Sequence, residues 1–75
     1  SAVTDMEEMF DEAIKEYKKV ETGFPFPQWQ SKAIYQMAMT LDRKGDKAKA
    51  QEQFKRLIQK FPDTLAAAGA KAKLD

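Results

Sequence analysis

The chain has 75 residues, no cysteine, no histidine and a formal net charge of +1 at pH 7. This length accommodates one small domain with a thin core, because so short a chain buries only about 60% of its unfolded surface. The absence of cysteine and histidine excludes disulfides, thiolate chemistry and the side chain that most often serves as general base and metal ligand.

The first predicted helix covers residues 5–22. Thr4 and Glu7 form a capping-box pattern that predicts its start, and Gly23 and Pro25 predict its end. Its apolar residues recur at intervals of three and four, so they share one face of the helix. They are Met6, Met9, Phe10, Ala13, Tyr17 and Val20.

The second predicted helix runs from about Gln28 to Arg43 or Lys44, with Pro27 in or near its first turn. Gly45 is expected to end this helix in a left-handed conformation. Its core stripe is expected to contain Ile34, Met37, Ala38 and Leu41.

Two further helices complete the predicted all-α chain. The third covers about Lys47–Lys60 after Asp46 as its cap, and includes a favourable pair between Glu52 and Arg56. The fourth covers roughly Leu65–Leu74 and is capped by either Asp63 or Thr64. No segment alternates apolar and polar residues over enough positions to predict a strand.

The third helix repeats the first at an offset of 37 residues. Ala13, Tyr17, Val20, Phe24 and Pro25 recur as Ala50, Phe54, Leu57, Phe61 and Pro62. A fixed period of this length is typical of stacked supersecondary units, which usually form binding surfaces.

These residues resemble the tetratricopeptide repeat. Gly45 falls at the turn between the two helices of that motif, Phe54 at its aromatic and Pro62 at its late proline. Ala38 and Ala50 fall at the small positions where its helices cross most closely. The period of 37 residues is similar to that of a subgroup in bacterial envelope proteins, such as the TolA-binding protein of the Tol-Pal system and the outer-membrane assembly lipoproteins.

The resemblance implies a single domain or fragment over residues 1–75, with antiparallel helical hairpins stacked as a short solenoid. Residues 5–25 correspond to the second helix of one repeat, 28–62 to a full repeat and 63–75 to a capping helix. The chain then begins within a unit, so it is expected to be a fragment of a longer protein or a minimal self-associating unit.

The resemblance further implies a non-catalytic scaffold that binds a peptide or partner protein on its concave face. The corresponding positions on the second helix are Lys32, Tyr35, Met39, Asp42 and Arg43. Most of these positions lie along one stripe of the helix, next to the core stripe, so their side chains are expected to be exposed. The alternative is ordinary surface that packs partly against the first helix. Trp29 either packs at the start of its helix or serves as an exposed anchor for a partner.

Two other functions remain open from the sequence. The apolar face of the first helix predicts self-association through Met6, Met9 and Phe10, or packing against the remainder of a parent chain. A nucleic-acid-binding domain is the second alternative, in which Trp29 and Tyr35 stack on bases beside a basic cluster. That cluster contains Arg43, Lys44, Lys47 and Lys49, but a sequence pI near 7.9 is low for such a domain.

Catalysis is not expected, because the neighbouring acids of the first helix lie on a predicted solvated face rather than in a shielded cleft. The sequence therefore predicts no catalytic residue, no cofactor and no metal site. It has no apolar run of the ~18 residues that a membrane-spanning helix needs. The resemblance favours the bacterial periplasm or cell envelope as the compartment.

Charge is distributed unevenly along the chain. Residues 1–22 carry seven acids and three lysines, whereas the remainder carries ten bases and five acids. Either each helix presents an ordinary solvated face, or the acidic end of the chain meets the basic end of a neighbour.

Overall fold

A computed structural model describes residues 2–75, with side chains from residue 4 onward, and contains four α-helices. They are α1 (Ala2–Gly23), α2 (Pro27–Lys44), α3 (Lys47–Lys60) and α4 (Leu65–Leu74). No strand occurs in this part of the chain, so the predicted all-α class with antiparallel hairpins is confirmed. None of the described helices is both long and apolar enough to cross a membrane.

The helices stack in chain order. Each one packs against the next, and α2 also contacts α4, whereas among residues 2–75 the backbone of α1 lies close only to that of α2. The Glu21 side chain of α1 nevertheless reaches α3. The molecule is consequently flat and elongated, with extents of 42 × 30 × 14 Å. Because α3 is antiparallel to both α2 and α4, helices α2 and α4 begin at the same end of the molecule.

The core lies where α2, α3 and α4 meet. Its buried residues are Ile34, Met37, Ala38, Leu41, Ala50, Phe54, Leu57, Ala67 and Ala70. The alanines allow the helix backbones to approach closely, and the larger aliphatic and aromatic side chains fill the space beside them. The predicted core stripe of α2 is therefore confirmed.

Local signals set the ends of α2, α3 and α4. Gly45 has a φ of 97°, and its amide donates to the carbonyl oxygen of Asp42. Asp46 accepts a hydrogen bond from the amide of Lys49 at 3.4 Å, as expected of the α3 cap. For α4, Thr64 rather than Asp63 is the cap, with its hydroxyl oxygen 3.1 Å from the amide nitrogen of Ala67.

The predicted start of α1 is wrong. The helix begins at Ala2, so Thr4 lies inside its first turn and does not mark its boundary. A capping box stabilises a helix only where the preceding residues leave the helical conformation. Alanine is the strongest helix former, and α1 includes Ala2, which precedes the predicted cap.

The predicted pair between Glu52 and Arg56 is also wrong. The Arg56 guanidinium instead donates two hydrogen bonds to the carboxylate of Glu21, at 2.6 and 2.8 Å. Lys60 Nζ lies 3.6 Å from the same carboxylate, whose side chain is only 10% exposed. A bidentate bond across two helices is stronger than an exposed pair along one helix, which explains the preference.

The two copies of the internal repeat differ in burial. Ala50, Phe54 and Leu57 on α3 are buried, whereas their counterparts Ala13, Tyr17 and Val20 on α1 are only half-buried. The cause is the order of the stack, because α3 packs between α2 and α4, whereas α1 packs closely only against α2. Within the part of the chain that the structure describes, one flank of α1 is therefore uncovered.

Candidate binding groove

An open groove of about 730 Å³ lies between the first turns of α2 and α4. Both helices begin at this end of the molecule. Its walls are contributed by α2, by the turn after α3 and by the start of α4. The lining residues are Pro27, Gln28, Ser31, Lys32, Tyr35, Gln36, Asp63, Thr64, Leu65 and Ala66.

Tyr35 provides the fixed aromatic surface of the groove. Its ring packs edge-on against Phe54, with the ring centroids 5.7 Å apart and the planes at 63°. On the α4 side, a Cβ placed on Gly69 would lie 2.9 Å from Cε2 of Tyr35. Glycine at this position therefore allows α4 to lie directly against the ring, which restricts the ring from both sides.

Leu65 is the most exposed large apolar residue of the groove. It is the first residue of α4, and 93% of its surface is accessible. An apolar side chain in this position loses unfavourable contact with water when a ligand covers it. Together with Tyr35 and Pro27 it makes the groove predominantly apolar.

Some polar groups of the groove already have hydrogen-bond partners. The Ser31 hydroxyl donates to the carbonyl oxygen of Gln28 at 3.2 Å, and the Thr64 hydroxyl donates to that of Phe61 at 2.8 Å. By contrast, Lys32 forms no ion pair within the described side chains. Its ammonium group is available to a ligand, as is the carboxylate of Asp63 across the groove.

The structure brings only part of the predicted partner-binding set to this groove. Lys32 and Tyr35 line it, whereas Met39, Asp42 and Arg43 lie further along α2. Met39 is half-buried against the core, and Arg43 is exposed.

Asp42 is engaged with a neighbouring side chain. Its carboxylate accepts a hydrogen bond from Lys47 at 2.9 Å. This bond and the positive charge of Lys47 lower the pKa of Asp42 below its ordinary value. This pair joins the end of α2 to the start of α3.

Trp29 faces a different surface. It lines a smaller groove of about 190 Å³ between α1 and α2, beside Tyr17, Val20 and Ala33. Half of its surface is exposed, so it is neither fully packed at the start of α2 nor free of contacts.

The partner-binding residues predicted from the sequence all lie on α2, so that prediction missed Leu65 and Asp63 of the groove. The internal repeat could have predicted their place in the groove, because its offset of 37 residues aligns α4 with α2. Two helices in equivalent positions of a stack lie side by side, so the start of α4 faces the start of α2.

Most of the basic cluster considered for nucleic-acid binding is neutralised by carboxylates. Lys44 bonds to Asp11 at 2.6 Å, which raises the pKa of that lysine. The other two pairs are Lys47 with Asp42 at 2.9 Å and Lys49 with Asp46 at 3.6 Å. Phosphate binding at these positions would have to displace carboxylates, which disfavours that function.

Comparison with known families supports the repeat assignment. Residues 32–64, which span most of α2, all of α3 and the turn before α4, match the family model described as tetratricopeptide repeat. No curated protein and no solved structure is significantly similar to the chain.

Proposed function

We propose that the chain is a non-catalytic protein-interaction module of the tetratricopeptide type, which binds an extended segment of a partner protein in the groove between α2 and α4. The observation that carries this proposal is the open, mainly apolar groove with an unpaired lysine at its wall. The family match over residues 32–64 supports it, because helical repeats of this kind form extended binding surfaces.

The lining residues indicate the chemistry of the ligand. An apolar side chain fits over Tyr35 and Leu65, and a carboxylate of the ligand pairs with Lys32. The side-chain amides of Gln28 and Gln36 can bond to the backbone of an extended peptide. We therefore propose a segment that combines an apolar residue with an acidic one.

The same face of α2 continues beyond the groove. Met39 and the exposed Arg43 follow Tyr35 along the helix, and they extend the proposed contact surface for a longer segment. Asp42 contributes by holding Lys47 in place. The similarity of the 37-residue period to that of envelope proteins supports a partner within a bacterial cell-envelope complex.

Selection from a displayed library of random peptides tests the proposal. The wild-type chain is expected to enrich peptides with an apolar residue near a carboxylate. The Lys32→Glu variant is expected to enrich basic peptides instead, because it reverses the charge at the groove wall.

Lys55→Glu is the matched control. It makes the same charge change at an exposed position of α3 and does not alter the groove. It should therefore keep the wild-type preference. The proposal is wrong if no peptide is enriched, or if Lys32→Glu and the control select the same peptides.

A further inference from the structure

The uncovered flank of α1 is a second surface, separate from the α2–α4 groove. Met9 is 70% exposed and Met6 is 54% exposed, although both are large apolar residues. Ala13 and Val20 continue this stripe and are half-buried. An apolar stripe along a helix with a single neighbouring helix is typical of an interaction surface.

The flank adjoins a recess that is ready to receive side chains. Tyr17 and Val20 on α1 form the groove of about 190 Å³ with Trp29 and Ala33 on α2. Its walls are mainly aromatic and aliphatic, which suits unbranched, flexible methionine side chains, and Lys32 and Gln36 also line it. The same face of α1 thus carries exposed methionines towards its first half and an apolar recess towards its second half.

Charge identifies the partner. The first half of α1 contains five acids and no base: Asp5, Glu7, Glu8, Asp11 and Glu12. The second half contains all three of its lysines and two acids, of which Glu16 is bonded to Lys19 and Glu21 to Arg56. In the first half, Asp11 is bonded to Lys44, and the other four acids keep it acidic. A second copy of α1 in the antiparallel direction places acidic halves opposite basic halves, whereas a parallel copy would oppose like charges.

The spacing of the apolar residues agrees with this direction. Ala13 is small and near the middle of α1, so it suits the point at which two helices approach most closely. Positions at equal distances on either side of Ala13 then face each other across a two-fold axis. Met9 faces Tyr17 and Met6 faces Val20 of the other copy, so the methionines reach the recess beside Trp29.

We infer that two copies of this chain associate through antiparallel α1 helices, with Met6 and Met9 of each copy filling the groove at Trp29 of the other. The contact is isologous, because the same surface serves on both sides. It leaves the α4 wall of the α2–α4 groove uncovered, although Lys32 and Gln36 line both grooves.

Sedimentation equilibrium over a concentration series tests the association, with a mass of twice the monomer expected at high concentration. Met9→Lys should weaken it by about tenfold or more, because a charged side chain replaces an apolar one within the contact. Leu65→Lys is the matched control, since it makes the same kind of change at the most exposed apolar residue of α4. That control should leave the dimer unchanged.

Trp29 is the only tryptophan, so its fluorescence reports directly on the recess. Its emission should move to shorter wavelength as the wild-type chain associates, and this shift should be lost in Met9→Lys. A monomer at all concentrations, a dimer that Met9→Lys does not weaken, or a dimer with unchanged Trp29 emission would overturn the inference.

Single cysteines test the direction, because the natural chain has none. Ala13→Cys, at the two-fold axis, should form a disulfide-linked dimer on mild oxidation. Met6→Cys should not crosslink with itself, since its partner position is Val20. In a parallel arrangement every position would face its own copy, so efficient crosslinking of Met6→Cys would show a parallel arrangement and refute the antiparallel one, whether or not Ala13→Cys also crosslinks.

Discussion

Replacement of Glu21 by glutamine tests how the stack is held together. Glu21→Gln keeps the shape of the side chain but removes the charge that receives two hydrogen bonds from Arg56, at 2.6 and 2.8 Å. One neutral hydrogen bond can be retained, whereas the other Arg56 donor faces an amide NH₂ group. The substitution therefore separates the ionic contribution from packing.

The size of the expected loss in unfolding free energy follows from the exposure of the two side chains. The side chain of Glu21 is 10% exposed and that of Arg56 is 37% exposed, so Arg56 can regain water when its partner is lost. The loss should stay below the roughly 3–5 kcal/mol of a fully buried broken pair. We expect a loss of about 1–3 kcal/mol in the free energy of unfolding, as for hydrogen bonds to charged groups.

Urea unfolding followed by far-ultraviolet circular dichroism measures this loss, and Glu16→Gln is the control. Glu16 bonds to Lys19 at 3.1 Å, but the side chains of Lys19 and Glu16 are 66% and 63% exposed. Its removal should cost less than about 0.5 kcal/mol. Equal losses in the two variants would refute the view that the Glu21–Arg56 bond joins α1 to α3.

Three further predictions concern the same fold. Below the ordinary Glu21 pKa of 4.5, the free energy of unfolding should fall as the pH drops through the lowered pKa of Glu21 in the folded state. Urea midpoints measured at several pH values should show a smaller loss in Glu21→Gln, and an equal loss in both proteins would contradict a role of the Glu21 carboxylate in this pH dependence. Phe54→Ala should cost about 3–5 kcal/mol in unfolding free energy because it empties a buried site, whereas a loss under about 1 kcal/mol would show that Phe54 is dispensable to the core. Gly69→Ala should lower the thermal midpoint despite a helix-propensity gain of about 1 kcal/mol, because the new Cβ would lie 2.9 Å from the restricted Tyr35 ring. Gly23→Ala, with no atom within 4 Å of the added Cβ, is its control, and a higher midpoint for Gly69→Ala would show that the ring moves freely.

The sequence predicts α2, α3 and α4 closely because their ends depend on local chemistry. Gly45 permits the left-handed turn, and Asp46 and Thr64 satisfy amides of the next helix. The predicted start of α1 is wrong because Thr4 has the sequence pattern of a helix cap, whereas the residues before it are already helical.

Tertiary contacts account for what the sequence analysis missed. Glu21 and Arg56 are 35 positions apart, so only the stacking of α1, α2 and α3 brings them together. Similarly, Lys32 and Tyr35 were identified from one helix, but the second wall of the groove comes from α4. Leu65 acquires its significance only when the repeat places the starts of α2 and α4 side by side.

Titration of a library-selected, fluorescently labelled peptide into the wild-type chain and three variants tests whether the partner binds in the α2–α4 groove. Lys32→Glu and Leu65→Glu should weaken binding by about tenfold or more, while Met9→Lys should retain wild-type affinity. Binding that Met9→Lys abolishes, and that both groove variants leave intact, would place the partner site on α1 and refute the α2–α4 groove as that site.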